Sequence, residues 1–152
     1  MQSTKQAIFM LEEIEYGLDI VEINIIEKYM PIEPVANLPS NLKGIIRLRG
    51  EIIPVYSLRR KLGLKEVEQS EDTRFIITVS QGLKIAYEID KISEIVVFEE
   101  EQLFETPSIV RSKETSYIKQ FACLDDRMVI LLDNDGILTE EELEKINTVL
   151  QK

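Results

Sequence analysis

The stretch GIIRLRGEIIPVYSL, residues 44–58, decides the fold class. Two runs rich in β-branched side chains, which fit a pleated and half-buried surface, flank a polar centre at Arg49-Gly50-Glu51. Gly50 tolerates the positive φ that tight hairpins demand, so the stretch predicts two antiparallel strands and a turn. In the first arm Ile46 and Leu48 alternate with Arg47 and Arg49, which predicts aliphatics on one face and both arginines on the other. Beyond Leu58, Arg59-Arg60-Lys61 predicts a short basic helical turn ending at Gly63.

Similar punctuation extends to both sides. Upstream come an apolar run at Ala7–Leu11, the polar Glu12-Glu13, a turn around Glu15–Gly17, and a second run at Leu18–Ile26. A third segment, Tyr29–Val35, is interrupted by Pro31 and Pro34, which suits an edge or irregular strand because proline cannot donate to a ladder. Downstream, the polar Lys65–Asp72 predicts a loop. Phe75–Val79 and Leu83–Ile89 surround the hairpin signal Ser80-Gln81-Gly82; Ile92–Phe98 follows and closes on Glu99–Glu101. Ser116–Leu124 and Met128–Leu132 surround Asp125-Asp126-Arg127. Only the end reads as a regular helix, over about 139–150. Thr139 and Glu142 form a capping box, and Leu143, Ile146 and Leu150 share one face. A helix this short needs a surface to dock on. Roughly nine or ten strands with regular turn signals predict a barrel or sandwich. A chain of 152 residues without repeats or Gly/Ser linkers fits one compact domain, or two intertwined lobes.

Composition excludes several functions. A net charge of -10, from 28 acidic and 18 basic residues, opposes nucleic-acid binding and attachment to an anionic membrane surface. With no histidine, the commonest general base and the usual catalytic zinc ligand are absent, and no Ser-His or Cys-His pair can form. The six glycines make no phosphate-cradling loop. Asp133-Asn134-Asp135-Gly136 resembles the start of a calcium loop. It then places Ile137 and Leu138 where an oxygen ligand and a glycine are required, so it reads as a turn into the helix. Cys123 is the only cysteine and lies in an apolar strand pattern, which predicts a buried structural thiol and a reducing compartment. No apolar stretch matches a signal-peptide core or a membrane span, so the expected location is cytoplasmic. No catalytic residue, metal, cofactor or small-molecule substrate is expected.

Arg47 and Arg49 then call for a reading. They either face water on a solvated strand face, or Arg49 is held by a carboxylate beside the turn and presents its planar donor fork within an apolar groove, as interface anchors do.

The residues 44–59, with Gly44, Leu48-Arg49-Gly50, Ile53-Pro54-Val55 and Leu58-Arg59, resemble the signature of the CheW-like domain. Leu18–Ile23 resembles the family's segment ending in Val-x-Glu-Ile. Ile89-Asp90-Lys91-Ile92 is similar to its Val-Asp-x-Val, and Asp125–Asp133 to its last hairpin. The resemblance runs in order from about Ala7 to Leu138, so one CheW-like domain over 1–152 is expected. It implies a mainly β fold of two interleaved five-stranded, SH3-like β-barrel lobes on a shared core, with short helices and a C-terminal helix. It also implies a scaffold coupling chemoreceptor cytoplasmic tips to the regulatory domain of the histidine kinase CheA in bacterial chemotaxis. Carried over by position, the receptor-binding groove between the lobes takes Ile20, Glu22, Gly44 and Arg49, with Ile92 and Ile95 from the other lobe, and Glu22 is the implied ion-pair partner of Arg49. Five positions depart from the family pattern: Arg47 for an asparagine, Ser57 for an acidic residue, Ala86 and Gln120 for glycines, and Glu88 for an inner-strand valine.

Two alternatives stay open at this level: a CheW-like domain in a non-chemotactic receptor–kinase pathway, and a small enzyme built on a carboxylate pair. A CheV-like protein needs a receiver domain, for which 152 residues leave no room.

Overall fold

The structure is a computed structural model and describes residues 3–80, 82–110 and 115–150. The chain begins one lobe with β1 (Thr4–Leu11) and β2 (Ile14–Asp19), then crosses through a single 3₁₀ turn at Ile20–Glu22. The second lobe follows without interruption: β3 (Ile23–Lys28), β4 (Leu42–Leu48), β5 (Glu51–Ser57), α1 (Leu58–Lys61), β6 (Arg74–Ser80) and β7 (Leu83–Ile89). The chain then returns to the first lobe with β8 (Lys91–Phe98), β9 (Leu103–Glu105), β10 (Ile118–Leu124) and β11 (Arg127–Leu132), and ends in α2 (Asn134–Ile137) and α3 (Glu140–Leu150). The first sheet has the order β8-β1-β2-β11-β10-β9 and the second β3-β6-β7-β5-β4, so the second lobe is nested inside the first in sequence. The expected mainly β, two-lobed class holds. The first sheet carries six strands where five were expected, because the short β9 adds to the β10 edge through Phe121↔Phe104 and its neighbours.

Neither sheet closes by a continuous ladder. In the second lobe, however, the chain leaving β3 swings to the far edge, where Glu33 pairs with Ile45 of β4. The Glu33 N–H donates to the Ile45 carbonyl at 2.8 Å, and the Ile45 N–H to the Glu33 carbonyl at 2.9 Å. Pro31 and Pro34 bracket this bridge and keep it isolated, as their missing donors require. Gly44 makes the approach possible. Its φ is +152°, and a Cβ there would lie 2.2 Å from the Glu33 carbonyl oxygen, closer than any side chain allows.

Among the described residues, three apolar clusters hold the molecule. Ile46, Ile53, Val55, Phe75, Ile77 and Ala86 fill the second lobe, while Ile8, Phe98, Ala122, Val129 and Leu131 fill the first. The largest cluster lies between them. It joins Phe9, Leu11, Tyr16 and Leu18 of the first lobe to Tyr56, Ile76, Ile85 and Tyr87 of the second, and Leu143 and Ile146 of α3 cap it. The capping box forms as expected: the Thr139 N–H donates to Glu142 Oε1 at 2.9 Å, and the Glu142 N–H to Thr139 Oγ1 at 3.0 Å. The same Glu142 carboxylate accepts from the Tyr56 hydroxyl at 3.0 Å and from Asn41 at 3.1 Å, anchoring α3 to the second lobe. Among the described residues, no helix is long and apolar enough to cross a membrane.

Several sequence expectations are corrected. The first turn is Glu12-Glu13, with Leu11 opposite Ile14, and Gly17 lies inside β2. A Cβ on Gly17 would sit 2.9 Å from Leu131 Cδ2, so glycine there serves the close approach of the parallel β11. The run Leu18–Ile26 breaks at Ile20–Glu22, where the chain changes lobes; both flanks stay apolar because each enters a core, which hides the break. Cys123 is partly exposed, since its neighbours Ala122 and Leu124 point into the first-lobe core and alternation turns it outward. The Gln81 of the second hairpin signal and the side chain of Leu150 lie outside the described residues.

Candidate protein-interaction site

The β4–β5 hairpin turns on two residues, Arg49 and Gly50, with Leu48 opposite Glu51. Both adopt positive φ, 49° and 81°, as a two-residue type I′ turn requires. For Arg49 the left-handed conformation costs about 1 kcal/mol, so surrounding contacts must hold it. Its side chain is 66% exposed, and Nη2 lies 3.0 Å from Oε2 of Glu27, whose side chain is mostly buried. The strand alternation predicted for Arg47 and Arg49 therefore stops at Leu48, the last residue of β4. Arg47 is also solvent-facing and grips Glu33 through Nε at 2.8 Å and Nη2 at 3.3 Å. Because Glu27 is on β3, Arg49 reaches across the open seam between the sheet's two edges, whereas Arg47 meets Glu33 beside its bridge to Ile45 at the β4 edge.

Glu22 is not the partner of Arg49. It lies in the 3₁₀ turn between the lobes, where burial and the neighbouring Asp135 push its carboxyl above the ordinary value. Asp19 and Asp133 add to that rise and Lys119 opposes it. Ile20 occupies the same turn, whose first N–H groups are capped by Asp19 Oδ1 accepting from the Val21 N–H at 3.1 Å. In the sequence this stretch reads as part of one continuous run, Leu18–Ile26. The crossing it marks becomes visible only once both lobes are in place.

Ile92 and Ile95 share β8, three positions apart, which in a regular strand would put them on opposite faces. A bulge intervenes: Phe9 pairs with Ile92 and Ile8 with Glu94, leaving Ser93 without an opposite residue. Ile92 packs against the interlobe cluster. Ile95, opposite Ala7, points the same way but stays 57% exposed, with Val97 also exposed. The six expected groove residues thus fall at three places: the first lobe crossing, the β4 hairpin and its seam, and the interlobe face of β8. Gly44 takes part through its backbone, at the close approach of Glu33.

The match to a family model decides the relationship: residues 6–142 match the model described as the CheW-like domain. The chain belongs to the CheW-like family. It is similar to the chemotaxis protein CheW of Klebsiella aerogenes, 31% identical over 142 residues, covering 93% of this chain and 86% of that protein. It is also similar to CheW of Bacillus subtilis, 26% identical over 137 residues, covering 90% of this chain and 88% of the relative. Its fold matches the crystal structure of the scaffolding protein TtCheW from Thermoanaerobacter tengcongensis at a TM-score of 0.83 and 30% identity, covering 93% of this chain and 96% of that one. Its function is that of a chemotaxis scaffold.

Against the CheW-like pattern, two of the departures explain each other. Ser57 and Glu88 are direct partners in the parallel β5–β7 register, so the carboxylate missing at one position is supplied one strand away. Glu88 accepts from Lys43 Nζ at 2.6 Å and from Gln69 at 3.2 Å. Ser57 keeps the helix-capping part of an acidic residue's work, its Oγ accepting from the Arg60 N–H at 3.1 Å. Ala86 is fully buried in the second-lobe core, and Gln120 lies at a register shift in β10. Sequence reasoning missed Glu27 and Glu33, the partners of Arg49 and Arg47, and had Asp90 only as part of a motif, not as the partner of Arg59 across the second lobe crossing.

Proposed function

We propose that this chain couples the cytoplasmic tips of chemoreceptors to the regulatory domain of the histidine kinase CheA, acting in the cytoplasm by binding alone and catalysing no reaction. The observation that carries this reading is the match of both lobes, over nearly the whole chain, to a solved scaffolding protein of the family. A receptor tip is a helical hairpin. On this reading the tip docks across the two lobes, meeting Ile20, Ile92 and Ile95 as apolar contacts and Arg49 and Glu22 as charged ones, although these stand at three separate places on the surface. Apolar contact supplies most of the affinity, and the charges set register. Individually weak contacts suffice where many copies assemble into an array.

The absence of histidine from the sequence and the pairing of the prominent arginines with carboxylates both support a binding role. The test is a pull-down with the full chain against a receptor cytoplasmic fragment. Retention by the unaltered protein and weakened retention by Arg49→Glu support the groove, and full retention by Arg49→Glu removes Arg49 from it.

A further inference from the structure

The chain passes between the lobes twice, and the second passage is a single residue. β7 ends at Ile89 and β8 starts at Lys91, leaving Asp90 as the joint. Its N–H donates to the Met10 carbonyl of the first lobe at 3.1 Å. Its carboxylate is gripped by Arg59 of the second lobe in a two-pronged contact, Nε to Oδ1 at 2.9 Å and Nη2 to Oδ2 at 2.6 Å. Oδ2 also accepts from the N–H of Glu12, in the first-lobe turn, at 2.8 Å. Arg59 completes the ring: Nη1 donates to Glu12 Oε1 at 2.8 Å and to the Lys65 carbonyl at 2.6 Å. Arg59 is only 8% exposed, and the two carboxylates hold its guanidinium firmly protonated. Glu12 itself sits at φ 58°, a strained conformation that this cluster helps to hold.

The apolar cluster between the lobes draws them together, but apolar attraction has no direction of its own. A planar guanidinium bonded at both prongs to one carboxylate does have direction. Arg59 and Asp90 also belong to the sequence signature, in Leu58-Arg59 and Ile89-Asp90-Lys91-Ile92, and docking uses neither of them.

We propose that Arg59, Asp90 and Glu12 form an interlobe lock that fixes the angle between the lobes and thereby keeps the groove between them preformed for a helical partner. Arg59 is a positioning residue here and makes no partner contact. The consequence for binding rests on the docking reading above; the lock itself does not.

The test places spin labels on the full chain at Lys5→Cys, exposed on β1, and Lys28→Cys, exposed on β3, in a Cys123→Ser background. Interlobe distance distributions and affinity for a receptor cytoplasmic fragment are read on the same samples. The unaltered lock gives one narrow distribution. Arg59→Lys, which keeps the charge and loses the fork, and Asp90→Asn broaden it. If the competent arrangement falls to about a tenth of the population, affinity falls about tenfold. Glu12→Gln, at a half-exposed side chain, keeps the fold and broadens the distribution less. Widths unchanged in both Arg59→Lys and Glu12→Gln overturn the lock. Broadening with undiminished affinity overturns its link to the groove. A receptor fragment that fails to bind even the unaltered protein contradicts the docking reading, while the distance distributions still decide the lock.

Discussion

Arg49 and Glu27 join opposite edges of the five-stranded sheet, Nη2 of the β4–β5 turn lying 3.0 Å from Oε2 on β3. Being largely exposed on the arginine side, the pair contributes at most about 1 kcal/mol to stability. Its role is to fix where the guanidinium points. Glu27→Arg and Arg49→Glu should each weaken receptor-fragment binding while shifting unfolding midpoints little, and the double reversal should recover part of the affinity. Calorimetric titration of the four proteins checks this; additive losses in the double variant would show that the pair does not act as a unit.

Gly44→Ala should be among the most damaging single changes. A methyl group 2.2 Å from the Glu33 carbonyl forces the Glu33–Ile45 bridge apart, at a positive φ that alanine tolerates poorly. Overpacking and backbone strain together predict a loss of about 3 kcal/mol or more. Urea unfolding measures it, and a loss below about 1 kcal/mol would mean that the bridge is dispensable.

The relocated carboxylate makes its own prediction. Glu88→Val restores the family's residue but strands Lys43, whose side chain is only 18% exposed, and should cost about 2–3 kcal/mol. Adding Lys43→Met should recover most of it, since an apolar pair of similar volume replaces a mostly buried ion pair. Ser57→Ala, by losing the cap on α1, should cost about 1 kcal/mol. Unfolding free energies in a double-mutant cycle decide, and a double variant as weak as Glu88→Val alone would contradict the pairing.

Much of this was legible in the sequence, for local reasons. The turns read at Arg49-Gly50-Glu51 and Asp125-Asp126-Arg127 (whose last residues open the following strands), the α1 turn and the α3 capping box are set by residues within a few positions of one another. What stayed hidden depends on distant chain. The role of Gly17 is set by Leu131, that of Gly44 by Glu33, and the shared face of Ile92 and Ile95 by a bulge opposite Ile8 and Phe9. The partner of Arg49 was the least legible part, because charge partners across a seam have no sequence spacing. Glu22 looked suitable for Arg49, but Glu27 holds it.

Glu22 predicts a pH dependence. Burial and Asp135 raise its carboxyl above the ordinary 4.5, so the folded protein holds that proton more tightly than the unfolded chain. Its contribution is fully present below that ordinary value and is lost as pH rises through the raised folded value. Glu22→Gln should flatten this decline and leave the protein more stable than the parent at neutral pH. Urea midpoints across the acidic-to-neutral range check it, and parallel curves for the two proteins would contradict it.

Coupling requires one small protein to hold a receptor and a kinase together. The most direct measurement is sedimentation of the purified full chain with a receptor cytoplasmic fragment and the CheA regulatory domain, singly and together. Coupling predicts two binary complexes and a larger species containing all three; binding to neither partner, or to only one at a time, would contradict it.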